Sequence, residues 1–161
     1  MSVKISYSNK KINKLSSNFV LFTNERFDIK SLKKNLSESE FSYIGELLKT
    51  SDLKKKILVF EVNSKKKVIL VSIKNNLKTS DIESLGAEFY GRVNHGKNQE
   101  YFLNSDSISI KYKEFLGHFL HGLKLKSYEF KKYKTKKETR VISINVIGFK
   151  NKPSQKTQLK F

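Results

Sequence analysis

The apolar residues of this chain change period several times, and each change marks an element. "VKISYS" (Val3 to Ser8) places apolar residues at alternate positions, the period of a half-buried strand. The polar stretch "NKKINKLSSN" separates it from "FVLFT" (Phe19 to Thr23), a continuous apolar run that predicts a buried strand. In "DIKSLKKNLSESEFSYIGELLKTS" the spacing lengthens: Leu32 and Leu36 predict a short helix, and Phe41, Ile44, Leu47 and Leu48 a second one. Ser37 and Glu40 stand at capping-box spacing at the start of the second helix, where a side-chain oxygen and a carboxylate can satisfy orphan backbone donors.

"KKILVFEV" and "KKVILVSIK" follow, dense in β-branched residues and joined by the short polar "NSKK", which predicts a hairpin. "KTSDIESLGAEFYGRVNHGKN" returns to helical spacing. Thr79 or Ser80 is its expected cap, Ile82, Leu85, Gly86, Phe89, Tyr90 and Val93 its buried stripe, and Gly96 its stop. "EYFLN" (Glu100 to Asn104) predicts a short strand. "IKYKEFLGHFLHGLKLKSYEF" predicts the longest helix, with Phe115, Leu116, Phe119, Leu120 and Leu123 on one face. "TRVISINVIGF" (Thr139 to Phe149) predicts the last strand. Strands alternating with helices late in the chain imply a sheet covered on both faces, so the expected fold is a three-layer α/β domain with a mixed sheet. Pro153 is the sole proline, and the polar stretch around and after it reads as a linker.

A length of 161 residues fits one domain, and such a chain buries roughly 70% of the surface its unfolded form exposes. Aromatic residues at 12% supply ample core. With no cysteine, disulfides and thiolate metal sites are excluded, which suits a reducing cytosol. The longest apolar runs fall far short of the roughly 20 residues that span a bilayer, and the first residues contain no apolar signal region. The expected location is therefore the cytoplasm. A net charge of +18 suggests a polyanion partner. Two features work against that reading. Arg26, Arg92 and Arg140 are the only arginines, although bidentate phosphate contacts favour arginine. The joint richness in Lys, Asn, Ile, Ser and Phe is also what an AT-rich genome produces without selection for binding.

Catalytic motifs are missing. His118 and His121 share a helical face with Glu114 four residues before the first, a sparse metal-ligand set for which solvated or packed histidines are the plainer account. Neither G-x-S-x-G, G-x-G-x-x-G nor G-x-x-x-x-G-K-[ST] occurs, and the carboxylates are scattered. The segment "KKYKTKKE" offers Lys131, Lys132, Lys134, Lys136 and Lys137 for polyanion contact, with Tyr128, Phe130 and Tyr133 as stacking surfaces. The alternative is that Tyr128 and Phe130 cap the helix while the lysines face water.

"GHFLHGLKLKSYEFKKYKTKKE" resembles the end of the N-terminal domain of the leucyl aminopeptidases, the cytosol aminopeptidases of peptidase family M17. Gly122, Leu125, Tyr128, Phe130, Tyr133, Lys134, Lys136 and Lys137 fill a pattern of the form G-x-x-L-x-x-Y-x-F-x-x-Y-K-x-K-K. "SYIGELLKTSDLKKK", "KKVILVSIKN" and "DIESLGAEFYGRV" are similar to the family's preceding helix, strand and helix, so the resemblance covers residues 3–149. It implies a macro-domain-like fold over 1–149 and a linker at 150–161 toward a C-terminal peptidase domain. In the family that second domain holds two divalent metals, manganese or zinc, and releases N-terminal amino acids from peptides. The assembly is a homo-hexamer.

The family's metal-binding run, of the form N-T-D-A-E-G-R, has no counterpart here, so no catalytic, cofactor or metal residue is carried over. Where macro domains need glycine loops for backbone amides to approach a diphosphate, this chain has "VSIKNN", which argues against ADP-ribose. The expected function is that of a non-catalytic N-terminal domain of a leucyl aminopeptidase-like metalloexopeptidase. A stand-alone basic nucleic-acid-binding module is the alternative, and a free-standing small-ligand domain the third reading.

Overall fold

The computed structural model describes residues 2–7, 18–52, 54–63, 66–74, 77–93, 99–108, 114–132 and 141–147. Six strands, β1 (Ser2–Tyr7), β2 (Asn18–Asn24), β3 (Ile57–Asn63), β4 (Lys66–Ile73), β5 (Gln99–Asn104) and β6 (Val141–Ile147), form one sheet in the order β1-β6-β5-β2-β4-β3. All neighbours run parallel except β3, which pairs antiparallel with β4 as the hairpin reading required. Three helices, α1 (Glu38–Thr50), α2 (Thr79–Val93) and α3 (Phe115–Lys132), flank the sheet.

The pleat explains why the central strands read as unbroken apolar runs. In β4, Ile69 and Val71 enter one core with Val20 and Phe22 of β2, while Val68 and Leu70 enter a second core with Leu21 on the opposite face. Strands buried on both sides need apolar residues at every position. α2 and α3 cover the first face, and Phe115, Leu116, Phe119, Leu120 and Leu123 of α3 meet the predicted stripe of α2 there. The second core holds Ile44 of α1, Leu32 of a 3-10 helix at Lys30–Asn35, and Phe27, Ile29 and Leu36 around it. The expected three-layer α/β arrangement with a mixed sheet is the one present.

Local signals hold at α1. The Ser37 hydroxyl accepts from the Glu40 N–H at 3.2 Å, and the Glu40 carboxylate accepts from the Ser37 N–H at 3.1 Å. At α2 the cap differs from expectation. The Lys78 carbonyl accepts from the Asp81 and Ile82 N–H groups, and Asp81 Oδ2 accepts from the Lys78 N–H at 3.0 Å, so Thr79 and Ser80 lie inside the first turn. α2 ends at Val93, and Gly96 lies outside the described residues. α3 starts at Phe115, because Glu114 has φ 60, a left-handed conformation that a right-handed helix cannot contain; the expected start at Ile110 lies outside the described residues.

Two glycines set the distance between α2 and α3. A Cβ on Gly86 would lie 2.0 Å from the Phe119 carbonyl oxygen, and one on Gly122 2.0 Å from the Glu83 carbonyl oxygen. The helix backbones therefore touch at two reciprocal points. That contact presses Phe89 and Phe119 together, with ring centroids 5.6 Å apart.

Candidate functional site

In an open parallel sheet, ligands bind beyond the carboxyl ends of the strands where neighbouring connections diverge. Here the divergence falls between β2 and β5. The chain leaving β2 enters the α1 layer, and the chain leaving β5 leads to α3 on the other face. The β2–β5 ladder ends at the Val20–Leu103 pair. Beyond it the Ser107 hydroxyl accepts from the Phe22 N–H at 2.9 Å and donates to the Asn104 carbonyl at 2.6 Å. Ser105 Oγ donates to the Ile147 carbonyl at 2.9 Å, and Asn104 Oδ1 accepts from the Asp106 N–H at 2.9 Å. These short polar side chains hold the β5 turn closed against both neighbouring strands.

The β2 end is organised by Asn24. Its side-chain oxygen accepts from the Arg26 N–H at 3.0 Å and the Asp28 N–H at 3.1 Å, while its carbonyl accepts from the Phe27 N–H at 3.0 Å. The tight turn forces Phe27 to φ 54, a conformation rare for a bulky side chain, and the buried phenyl ring holds it there. Asn24, Glu25 and Arg26 line a cavity of about 250 Å³ together with Ile73 at the end of β4. Its described lining residues carry one guanidinium, one carboxylate and one amide. No glycine occurs among these described lining residues.

At the β1 end, burial and then the nearby Glu114 carboxylate push the Tyr7 phenol up to about 12. Burial alone does the same to Tyr101, also to about 12, and its hydroxyl donates to Gln99.

The histidine pair does not assemble with Glu114 into a ligand set: among the described residues no three metal-ligating side chains converge. His121 Nδ1 instead meets Glu83 Oε1 of α2 at 3.0 Å. Periodicity could not show this pairing, although the glycines that bring the helices together were visible.

Of the predicted polyanion contacts, Lys131 and Lys132 form the last residues of α3, while Lys134, Lys136 and Lys137 lie outside the described residues, as does Tyr133. The expectation that Tyr128 packs as a cap is corrected. It is 55% exposed, and Leu125, three residues earlier on the same face, is 49% exposed, because the sheet-facing stripe of α3 passes through Leu123 and Ser127 instead.

Sequence reasoning also missed a buried cation. Lys66, at the start of β4, is 2% exposed and places Nζ 2.6 Å from Glu40 Oε2 and 4.7 Å from the centroid of the Phe19 ring. Burial acts to raise the Glu40 pKa, but the hydrogen bonds from Lys66 and Ser37 prevail and hold it below the ordinary carboxylate value. One carboxylate thus caps α1 and neutralises a lysine beneath it.

No family model matches the chain, and no curated protein matches it in sequence. Solved structures do match in fold. A mutant of tomato leucine aminopeptidase superposes with a TM-score of 0.61 at 13% identity, over 99% of this chain and 35% of that one. The macrodomain of Thermus aquaticus DarG superposes with a TM-score of 0.56 at 8% identity, over 92% of this chain and 100% of that one. The chain is therefore a macrodomain-like α/β fold. It spans about 35% of the length of the tomato enzyme, and the likeness is one of fold. Among the described residues no helix is long and apolar enough to cross a membrane.

Proposed function

We propose that residues 1–149 are the non-catalytic N-terminal domain of a leucyl aminopeptidase-like metalloexopeptidase, with 150–161 leading toward a separate peptidase domain. The observation that carries this is the coverage: the fold matches tomato leucine aminopeptidase across 99% of this chain and only 35% of that one. The two divalent metals, manganese or zinc, and the release of N-terminal amino acids belong to the second domain. This domain supports assembly, a homo-hexamer in the family, and access to the peptidase site in the cytoplasm.

The test is twofold. The 161-residue protein supplied with manganese is expected to leave a leucyl substrate uncleaved, and turnover at enzymatic rates overturns the proposal. An antibody against this domain is expected to detect a product much larger than the isolated chain in its source cells; a product of only this length would instead favour a solitary domain.

One observation favours a second reading, contact with single-stranded nucleic acid. The net charge is +18, and the exposed Tyr128 sits on the lysine-bearing end of α3 with Lys131 and Lys132, where a base could stack. Such binding is expected to be tight in dilute salt and to collapse as salt rises, because counterion release drives it. Weak binding in dilute salt eliminates it.

A further inference from the structure

On the side of β4 away from the β2–β5 divergence lies a second cavity, of about 220 Å³, bounded by Lys56, Ser72, Lys74, Leu77, Asp81 and Leu85. Three elements build it. The Ser72 N–H donates to the Lys56 carbonyl at 2.8 Å, tying the approach to β3 against the end of β4 and setting Lys56 and Lys74 on either side of Ser72. The first turns of α2 supply Asp81 and Leu85, and the residue two before the helix supplies Leu77. Asp81 is fixed by the bond from the Lys78 N–H to its Oδ2. Leu85 and Ser72 are buried and Leu77 half-buried, whereas both lysines and Asp81 reach solvent. The space therefore has an apolar and hydroxyl-bearing floor and a charged mouth.

Size and charge together select a ligand. Drug-sized molecules and cofactors occupy pockets of roughly 300–1,000 Å³, and this cavity lies below that range. Its volume is that of roughly seven liquid waters, enough for a small metabolite. Among the described lining residues, two ammonium groups opposed by one carboxylate leave a single positive charge at the mouth, which matches a monoanion better than a doubly charged phosphate. Leu77 and Leu85 favour an apolar body behind that anion.

We propose that this cavity binds a small aliphatic carboxylate, with the acid group held between Lys56 and Lys74 and the hydrocarbon on Leu77 and Leu85. A free branched-chain acid and an α-amino acid share this chemistry. In the amino acid, Asp81 takes the ammonium group.

The experiment is a titration of the ¹⁵N-labelled 161-residue protein with isovalerate, leucine and inorganic phosphate, followed by amide chemical shifts. Isovalerate is expected to shift the Lys56, Ser72, Lys74, Leu77, Asp81 and Leu85 signals along one saturable curve. Lys56→Gln and Lys74→Gln are each expected to weaken it by about tenfold or more, the loss of one charge-assisted hydrogen bond, at an unchanged melting temperature. Asp81→Asn is expected to tighten isovalerate. Competition by leucine identifies the amino acid as a ligand, and its failure assigns the site to plain acids; both sustain the proposal. Shifts that do not saturate, unchanged affinity in the lysine variants, or binding of phosphate alone overturn it. None of these outcomes bears on the aminopeptidase reading, which concerns the chain's parentage and not this cavity.

Discussion

Replacing Gly86 by alanine inserts a methyl carbon 2.0 Å from the Phe119 carbonyl oxygen, 2.9 Å from its carbon and 3.1 Å from the Leu123 nitrogen. Carbon atoms at Cβ essentially never come within 3.0 Å of a neighbour, so α2 and α3 must part by about 1 Å. The atoms struck are backbone, which has no rotamer to yield. A gap of that size forfeits roughly a quarter to a half of the dispersion energy of each contact it opens, and here those contacts include Phe89 and Phe119. Overpacking of this kind costs about 1–3 kcal/mol, occasionally more, against a gain of about 1 kcal/mol from alanine's helix preference. With two backbone clashes, the net is set at about 2 kcal/mol of destabilisation, or roughly 4–8 °C in Tm for a chain of this size.

Gly122→Ala strikes the Glu83 carbonyl oxygen at 2.0 Å, with its carbon and Cα at 2.6 Å, and should behave alike. Gly45 and Gly91 have nothing within 4 Å, so alanine there should instead stabilise by about 0.5–1 kcal/mol. Thermal melts of the four variants read the contrast, and urea titrations check that the slope is unchanged. The double variant G86A/G122A should cost less than the sum of its parts, since one separation relieves both clashes. A Gly86→Ala protein that melts at or above the parent would refute the close approach.

The buried ion pair makes the second prediction. Lys66→Met or Glu40→Gln should each cost about 3 kcal/mol by leaving one charged group uncompensated, with the double variant costing less than the sum in urea unfolding. Because the Glu40 pKa is lowered in the folded state, its contribution is present above the ordinary value of 4.5 and is lost as pH falls through the folded value; stability against pH should flatten on that limb in Glu40→Gln. Tyr7 and Tyr101, raised from 10.0 to about 12, contribute stability below pH 10 that is lost as pH rises toward about 12, where the unfolded phenols ionise first. Ultraviolet titration should show two late phenols, one missing in each of Tyr7→Phe and Tyr101→Phe. Ser37→Ala should lose about 1 kcal/mol with the α1 cap, read by thermal melting.

The candidate sites were less legible than the fold. The lysine run drew attention because it is contiguous, yet the cavities are lined by residues from separate segments: Asn24 to Arg26 with Ile73, and Lys56 with Lys74 and Asp81. In the sequence the polar ones are dispersed residues of the sort that usually only meet water, and Ile73 is an ordinary strand residue. Lys66 is the sharpest case. No local pattern could show that the Glu40 carboxylate and the Phe19 ring enclose it.

What the amino-acid order determined by itself is the set of elements and the layers they build. The Ser37–Glu40 cap, the hairpin, and the complete stripe of α2 follow from spacing, because backbone hydrogen bonds and side-chain direction repeat within a few residues. Tertiary structure alone decided the strand order, the left-handed turns at Phe27 and Glu114, the reciprocal contact of Gly86 and Gly122, and the exposure of Tyr128. Those depend on which distant surfaces meet, at separations of tens of residues. Solvent exclusion and steric contact between them carry no period that a single sequence can display.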